Sequence, residues 1–370
     1  MRTKLEERVI VAAFCGFLAV MSVAYLLLPK VTFSETEKRF LAEAPEVSWD
    51  RIVSGEFGED VETYMADHIP GRDFFVGLNA YVELLTGRQA ADDIYVTWDG
   101  RLVEAPVLWN ETNVKKNMDK INAFAQKLDV NVDLLIVPSA GWAAREEIAG
   151  VSAPYEDAVM IQNIYTKAGE NVRVLDLTKA FDDPSLYYRT DHHWTSEGAF
   201  TAYRLYMEQL VRGYKPQQAF EVETVSGFYG STYSRAALWL TQSEPLELWT
   251  GSAGITVTNG DSEDLHDGIF YRERLEETDK YTVYLDGNHS IVRIHNPNAP
   301  EGGKLLVIRD SYSNCLGGFL AESYEEVVLV DLRYYRNSVS ALCQEEGFDN
   351  VLVCYSLSNF MTDTNIVWLR

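Results

Sequence analysis

Short apolar runs alternate with helical patterns along most of the chain beyond residue 110. The runs that predict buried strands are residues 132–138, 172–175, 304–308, 327–330 and 351–353. Between them, apolar residues recur every three or four positions in the stretches 113–128, 157–168, 196–211, 312–322 and 338–346. Apolar strands joined by helices are typical of a parallel sheet that is covered on both faces. The pattern therefore predicts an α/β fold.

Residues from about 215 to 300 follow a different pattern. Thr, Tyr, Gly and Asp are frequent there, and no long helical spacing is visible. Strand-like stretches occur at residues 256–258, 280–285 and 290–294. We expect these residues to form a β-rich, antiparallel insertion in the α/β core.

An uncharged apolar run, residues 9–28, lies near the N-terminus. As a helix it would be about 30 Å long, which is the thickness of the hydrocarbon core of a bilayer. Arg2, Lys4 and Arg8 precede the run, and basic residues favour the cytoplasmic side of a membrane. We expect a single-pass signal anchor in the cell membrane with an extracytoplasmic body. A cleaved signal peptide is the alternative.

The predicted organisation has four parts: a cytoplasmic N-terminus (1–8), a transmembrane anchor (9–28), a stalk and helical region (29–93) and a catalytic domain (94–370).

Composition narrows the classes of partner and cofactor. Hydrophobic residues make up 46% of the chain, which is enough to bury a core, and the formal net charge is −24. Nucleic acids bind clustered Lys and Arg, so the charge argues against a nucleic-acid partner. Cys315, Cys343 and Cys354 match no zinc-site spacing. No cofactor is predicted.

Asp191, His192 and His193 bring a carboxylate and two imidazoles into one short stretch. Side chains two residues apart on an extended segment share a face, so Asp191 and His193 are predicted to lie together. A carboxylate holds such an imidazole in one tautomer, as nucleophilic hydrolysis and acyl transfer require. His192 is predicted to face the other way, where it binds substrate or supports the back of the site.

Ser311 is the candidate nucleophile. It lies where the apolar strand 304–308 passes into a helix, and ligands of α/β sheets bind beyond the carboxyl ends of the strands. Its own N–H, at the start of the helix, would help to stabilise an oxyanion. Taken alone, a serine at this position is more often a helix cap. The combination with Asp191 and His193 favours the catalytic interpretation.

These motifs resemble the DHHW family of bacterial membrane-anchored proteins. That family is similar to the alginate O-acetylation (AlgX- and AlgJ-like) proteins of the SGNH hydrolase superfamily. The stretches that carry the resemblance are residues 190–195, 309–313, 34–42, 67–73 and 330–335. The resemblance implies an SGNH-like parallel sheet flanked by helices, with Ser311 as nucleophile, His193 as base and Asp191 as its partner.

The resemblance also implies a function. A membrane-anchored acyltransferase or carbohydrate esterase is expected, which O-acetylates or deacetylates a cell-surface or cell-wall polysaccharide. A membrane-embedded acyl transferase is the expected protein partner. The alternative is a non-catalytic SGNH-like protein that binds glycan or acts as a scaffold in envelope polysaccharide assembly.

The remaining site residues are less well determined. Arg309 stands where SGNH enzymes usually have Gly, and the Gly and Asn of their oxyanion hole have no clear counterpart. His192, Asn314, Arg333 and Tyr355 are the candidates for substrate or oxyanion contacts. A metal site would use Asp191, His193 and a third ligand such as His68 or His266, but no spacing specifies that ligand, and no metal is predicted.

Overall fold

The computed structural model describes residues 2–34, 39–88, 90–148 and 153–370, so part of the predicted 34–42 motif lies outside the described residues. The chain divides into two compact units. One contains the residues up to Arg88 together with Ser234–Trp239, and the other contains the remainder.

The helices and strands follow the chain in this order. The helices are α1 (Arg2–Leu27), α2 (Trp49–Ser54), α3 (Glu56–Asp67), α4 (Arg72–Leu85), α5 (Glu111–Ala125), α6 (Ala140–Ala143), α7 (Asp157–Tyr165), α8 (Ser196–Leu210), α9 (Ser231–Ala236), α10 (Ser313–Leu320), α11 (Val339–Glu346) and α12 (Leu357–Thr362). The strands are β1 (Phe33–Ser34), β2 (Arg39–Phe40), β3 (Ala90–Ala91), β4 (Ile94–Val96), β5 (Leu102–Glu104), β6 (Val132–Val137), β7 (Val172–Leu175), β8 (Glu221–Phe228), β9 (Glu244–Thr250), β10 (Thr256–Asn259), β11 (His266–Asp267), β12 (Ile291–His295), β13 (Lys304–Arg309), β14 (Glu326–Val330) and β15 (Asn350–Ser356).

The first unit begins with the apolar helix α1. Residues Glu6–Leu27 of this helix are long and apolar enough to cross a bilayer, and they are not buried against the rest of the protein. A signal sequence has the same properties, so the helix is consistent with either a signal anchor or a signal peptide.

Asp67 at the end of α3 ties the short strand β2 to the helices of this unit. Its carboxylate accepts hydrogen bonds from Arg39 at 2.6 and 3.0 Å and from the backbone N–H of Ala42 at 2.8 Å. Arg72, at the start of α4, lies 3.6 Å from the same carboxylate. The hydrogen bond from Arg39 lowers the pKa of Asp67 to about 2, although burial of the carboxylate opposes this shift.

The second unit is built on an eight-stranded sheet within the described residues. The strand order is β11-β10-β12-β14-β13-β15-β6-β7. The five strands from β14 to β7 run parallel, as predicted, while β12, β10 and β11 are added antiparallel at one edge. The α/β fold predicted from the apolar pattern is confirmed.

Alternate residues of the parallel strands enter different cores. On β13, Leu305 and Val307 belong to one apolar cluster, while Leu306 and Ile308 belong to another. Side chains alternate between the faces of a strand, so a strand buried on both faces must be apolar throughout. This requirement explains why its sequence is a continuous apolar run.

The residues from 215 to 300 contribute to two antiparallel structures. Strands β8 and β9 pair as a separate two-stranded sheet, whereas β10, β11 and β12 extend the main sheet. The strand expected at residues 280–285 is not formed, and Lys280–Val283 is a 3₁₀ turn instead. Tyr281 and Val283 are both buried, so the alternation that suggested a strand reflects burial within a turn.

Candidate active site

Ser311 lies at the carboxyl edge of the main sheet, just after β13. The two following strands, β14 and β15, flank β13 on opposite sides, which is the arrangement that opens a ligand crevice in α/β sheets. Asp310 anchors the turn, because its Oδ2 accepts hydrogen bonds from the backbone and hydroxyl of Ser356 at 2.8 and 2.9 Å and from Asn359 at 2.8 Å. Among the described residues, the backbone N–H of Ser311 has no hydrogen-bond partner.

A line of hydrogen bonds joins Asp191, His193 and Ser311. His193 Nδ1 is 2.5 Å from Asp191 Oδ1, and His193 Nε2 is 2.8 Å from Ser311 Oγ. The carboxylate only accepts, so Nδ1 carries the proton and Nε2 is left to accept from the serine hydroxyl. Asp191 and His193 are buried, while Ser311 is half-buried.

Asp191 is held in its ionised form. Burial alone would raise the pKa of this carboxyl group. The adjacent His193 and His192, together with hydrogen bonds from His193 and the backbone of Ser231, instead hold the pKa of Asp191 well below its ordinary value. The carboxylate can therefore stabilise positive charge on His193.

Residues far along the chain hold Asp191 from its other side. Asp191 Oδ2 accepts from the backbone N–H of Ser231 at 2.6 Å and from the Ser231 hydroxyl at 2.9 Å. A Cβ atom on the preceding Gly230 would lie 2.1 Å from the Cβ of Asp191. The backbone can approach this closely only because residue 230 is glycine.

Glu244 supports the residue before Asp191. Its carboxylate accepts from the backbone N–H of Arg189 at 2.7 Å and from the backbone and hydroxyl of Thr190, each at 2.6 Å. Burial raises the pKa of Glu244 although these hydrogen bonds oppose the shift. Thr190 in turn accepts from the backbone N–H of Gly230 at 3.1 Å, so the two supports are connected.

Aromatic side chains pack around His193. The ring of Tyr281 stacks on the imidazole with 3.9 Å between centroids and an angle of 8° between planes. Trp194 is fully buried and donates from Nε1 to the carbonyl of Tyr312 at 3.0 Å. This bond connects the Asp-His segment directly to the residue after Ser311.

The prediction that His192 faces away from Asp191 is wrong. The segment bends at residues 189–193 rather than running extended, so alternation does not apply. The His192 and His193 rings lie 3.9 Å apart, and His192 Nδ1 is 3.8 Å from Asp191 Oδ1. His192 Nδ1 also lies 2.6 Å from Ser231 Oγ. Of the two histidines, His193 is the one that forms a hydrogen bond with Ser311.

Asn314 and Arg333 belong to a polar cluster around Arg309, which also contains Asn288 and Asp331. Asn314 Oδ1 accepts from Arg309 Nη1 at 2.6 Å, and Arg309 Nη1 also donates to Asn288 at 2.9 Å. Arg309 is fully buried 3.9 Å from Asp331, and Arg333 pairs with the same Asp331 at 2.6 Å. Burial lowers the pKa of Arg309, although the nearby Asp331 opposes this shift. Asn314 is therefore a hydrogen-bond partner of Arg309, and Arg333 is an ion-pair partner of Asp331.

Tyr355 does not reach the nucleophile. It is buried in the apolar cluster on the opposite side of the sheet from Trp194 and Tyr312. Its neighbour on β15, Cys354, faces the Trp194 side, so the alternation of the strand directs Tyr355 away from the site. Tyr355 is thus a core residue and not an oxyanion candidate.

The residues considered for a metal site are arranged differently from the sequence hypothesis. Among the described residues, the group with metal-ligand potential is Asp191, His192 and His193, whose ligand atoms lie within 4.8 Å of one another. His266 stacks on Tyr271, and His68 contacts the carbonyl of Ala42. Neither is part of that group.

Sequence reasoning missed Gly230, Ser231, Glu244 and Tyr281. None of them lies in a recognisable motif, and each is common in surface turns or strands. Their roles depend on packing against residues 189–193, which no local pattern reveals.

Several solved structures are similar to this protein. A DHHW family protein from Eubacterium siraeum has a TM-score of 0.63 at 22% identity, covering 75% of this chain and 95% of that one. Bacillus cereus PatB1 with a sulfonyl adduct has a TM-score of 0.61 at 21% identity, covering 75% and 98%. The O-acetyltransferase domain of Pseudomonas putida AlgJ has a TM-score of 0.45 at 15% identity, covering 73% and 92%.

A search of curated proteins found no significant match. The solved structures with TM-scores above 0.6 show that the fold is shared. The DHHW protein family matches residues 110–330, which is more than half of the chain and includes Asp191, His193 and Ser311. On this evidence the chain belongs to the DHHW family.

Proposed function

We propose that this protein is a membrane-anchored, extracytoplasmic acyltransferase or esterase in which Ser311, His193 and Asp191 act as a catalytic triad. The observation that carries the proposal is the continuous line of hydrogen bonds from Asp191 through His193 to Ser311. Nucleophile, base and orienting carboxylate stand at the distances that acyl transfer requires. The order Asp, His, Ser along the chain is immaterial, because a triad is defined by geometry.

The first half-reaction forms an ester on Ser311. As Ser311 Oγ attacks the carbonyl carbon of the donor, His193 Nε2 takes the hydroxyl proton, and Asp191 stabilises the imidazolium. The backbone N–H of Ser311 is available to bind the developing oxyanion. Collapse of the tetrahedral intermediate breaks the bond to the leaving group, which receives the proton from His193.

The second half-reaction releases the acyl group. A hydroxyl group or a water molecule donates its proton to His193 Nε2 and attacks the ester carbon. The bond to Ser311 Oγ breaks, and Oγ takes the proton back from His193. A hydroxyl acceptor yields a new ester, and water yields a carboxylic acid.

The proposed substrate is an O-acetylated or O-acetylatable polysaccharide of the cell envelope, with a membrane-embedded acyl transferase as acyl supplier. The resemblance of residues 190–195 and 309–313 to the alginate O-acetylation proteins supports this class, and the apolar helix α1 is consistent with a site outside the cytoplasm. The basic residues Arg2, Lys4 and Arg8, which precede the apolar run within α1, support the same orientation.

The test is to trap the acyl-enzyme. Full-length protein in detergent is mixed with p-nitrophenyl acetate, and intact mass and peptide mapping follow the acetyl adduct. We expect the adduct on Ser311, no adduct in Ser311→Ala, and a loss of rate of several orders of magnitude in His193→Ala. A sulfonyl fluoride is a second probe, since the Bacillus cereus structure carries a sulfonyl adduct.

Ser313→Ala is the matched control, because Ser313 lies two residues from the nucleophile and is buried in α10. It should acquire the adduct like the wild type. Folding of each variant is checked by circular dichroism. A folded wild type that acquires neither adduct would contradict the proposal and favour the glycan-binding scaffold.

A further inference from the structure

A small cavity opens beside the proposed triad. Its volume is about 120 Å³, and His192 and Tyr312 line it on the side next to His193 and Ser311. The remaining wall carries both apolar groups and polar groups, and the polar groups come from Glu104, Ser139, Ser356, Ser358 and Asn359. Neither this cavity nor His192 takes part in the proposed half-reactions.

The hydrogen bonds around Ser231 determine the tautomer of His192. Asp191 is ionised and only accepts, so the single proton of the Ser231 hydroxyl goes to Asp191 Oδ2, 2.9 Å away. Ser231 Oγ must then accept from His192 Nδ1 at 2.6 Å. Nδ1 therefore carries a proton, and in the neutral ring Nε2 carries a lone pair.

His192 Nε2 is available to a ligand. It has no hydrogen-bond partner among the described residues, and it is not a fully buried atom. The side chain is 29% exposed, and its exposed part borders the cavity. Burial lowers the pKa of His192, and the neighbouring His193 lowers it further, although Asp191 opposes the shift. This shift favours the neutral ring, in which Nε2 is an acceptor.

The attacking hydroxyl cannot be the group that binds His192. It has one proton, and that proton must pass to His193 Nε2 in the second half-reaction. A second hydroxyl on the same acceptor molecule could reach His192, because the two imidazole rings are only 3.9 Å apart. Hydroxyl groups on adjacent carbons of a sugar ring lie side by side, so that one can face each imidazole.

We propose that His192 accepts a hydrogen bond from the hydroxyl next to the one that is acylated, and that Ser231 positions His192 for this contact. The acceptor is then a molecule with neighbouring hydroxyl groups, which distinguishes it from water and from simple alcohols. This inference rests on the proposed acyl transfer and adds to it a residue that recognises the acceptor. Ser231 acts through His192 and Asp191 and is a positioning residue.

The experiment is a competition between two acceptors in one reaction. Full-length protein in detergent receives p-nitrophenyl acetate with equal concentrations of cyclohexanol and cis-1,2-cyclohexanediol, and mass spectrometry measures both acetate esters. The ester ratio is independent of the rate at which the acyl-enzyme forms. We expect the wild type to favour the diol by about threefold to tenfold, as one hydrogen bond allows.

Two substitutions test the contributions of the two ring nitrogens of His192 separately. In His192→Asn the amide replaces Nδ1 only, whereas in His192→Gln the amide reaches the place of Nε2. The preference for the diol should disappear in His192→Asn and persist in part in His192→Gln. Ser231→Ala should reduce the preference, and Ser231→Thr, which keeps the hydroxyl, should restore it.

The outcomes are distinguishable. No preference for the diol in the wild type, or an unchanged preference in folded His192→Asn, would overturn the role of His192. If His192→Asn does not fold, the ester ratio of the wild type and the comparison of Ser231→Ala with Ser231→Thr still test the role of His192. Absence of both esters and of any Ser311 adduct would instead overturn the proposed function.

Discussion

Asp191 is the residue on which the site depends most. His193 donates to it from the backbone and from Nδ1, and Ser231 donates from its backbone and hydroxyl. These donors fix both carboxylate oxygens, which in turn fixes the direction of the His193 ring. The arrangement leaves no room on the side of Gly230, where a Cβ atom would lie 2.4 Å from Asp191 Oδ2.

Gly230→Ala is therefore expected to damage the site more than the fold. The new methyl group must displace Asp191, and a shift of about 1 Å costs on the order of a hundredfold in rate. The rate of acetyl adduct formation on Ser311 measures the effect, and thermal unfolding monitors stability. Gly58→Ala, where the Cβ would meet open space, is the control. Wild-type reactivity in a folded Gly230→Ala protein would contradict the prediction.

At the scale of elements, the apolar patterns predicted the parallel strands and most helices closely. The stretch 196–211 became α8, Ser196–Leu210, and the stretch 304–308 became β13, Lys304–Arg309. The predictions failed where the same sequence pattern can arise from two different local structures. Buried alternation at residues 280–283 arises in a 3₁₀ turn, and residues 191–193 bend because Ser231 and His193 hold Asp191.

The hydrogen bonds from Arg39 of β2 to Asp67 of α3 lead to a prediction about how stability depends on pH. The pKa of Asp67 is about 2 in the folded protein, below its ordinary value, so its contribution to stability is fully present above about pH 4. It is lost as the pH falls through about 2, where the folded-state carboxylate takes up its proton. Asp67→Asn should therefore be less stable than the wild type at pH 7, with the difference shrinking towards pH 2.

Urea unfolding between pH 2 and pH 7, followed by circular dichroism, measures this difference. Asp50→Asn is the control, since Asp50 is an exposed carboxylate in α2. It should follow the wild-type profile. A constant difference between Asp67→Asn and the wild type across the whole range would show that the ion pair is not its cause.

On the scale of the whole molecule, the site unites parts of the chain that are distant in sequence. His193 and Ser311 are separated by 118 positions, and Ser231 lies 40 positions from Asp191. Ser311 follows the carboxyl end of β13 at one edge of the sheet. The Asp-His segment lies just before the start of α8. A net charge of −24 accompanies this architecture and opposes association with nucleic acids.

The apolar helix α1 makes a prediction for the intact protein. If it is an uncleaved anchor, the protein should stay in the membrane pellet after alkaline carbonate extraction, because about 20 apolar residues span a bilayer. Its intact mass should match the full chain. A mature protein that begins beyond residue 28 and is released by carbonate would instead identify a signal peptide.

The α/β class, the apolar helix and the three proposed triad residues could be predicted from the sequence alone. Each of these is encoded locally, in a hydrophobic period or in a short motif with its own chemistry. The folded structure was needed to establish that His192 turns towards Asp191 and that Tyr355 faces the core on the other side of the sheet. It was also needed to find Gly230, Ser231, Glu244 and Tyr281 around the site. These features depend on contacts between residues distant in sequence, where packing and hydrogen bonding override local preference.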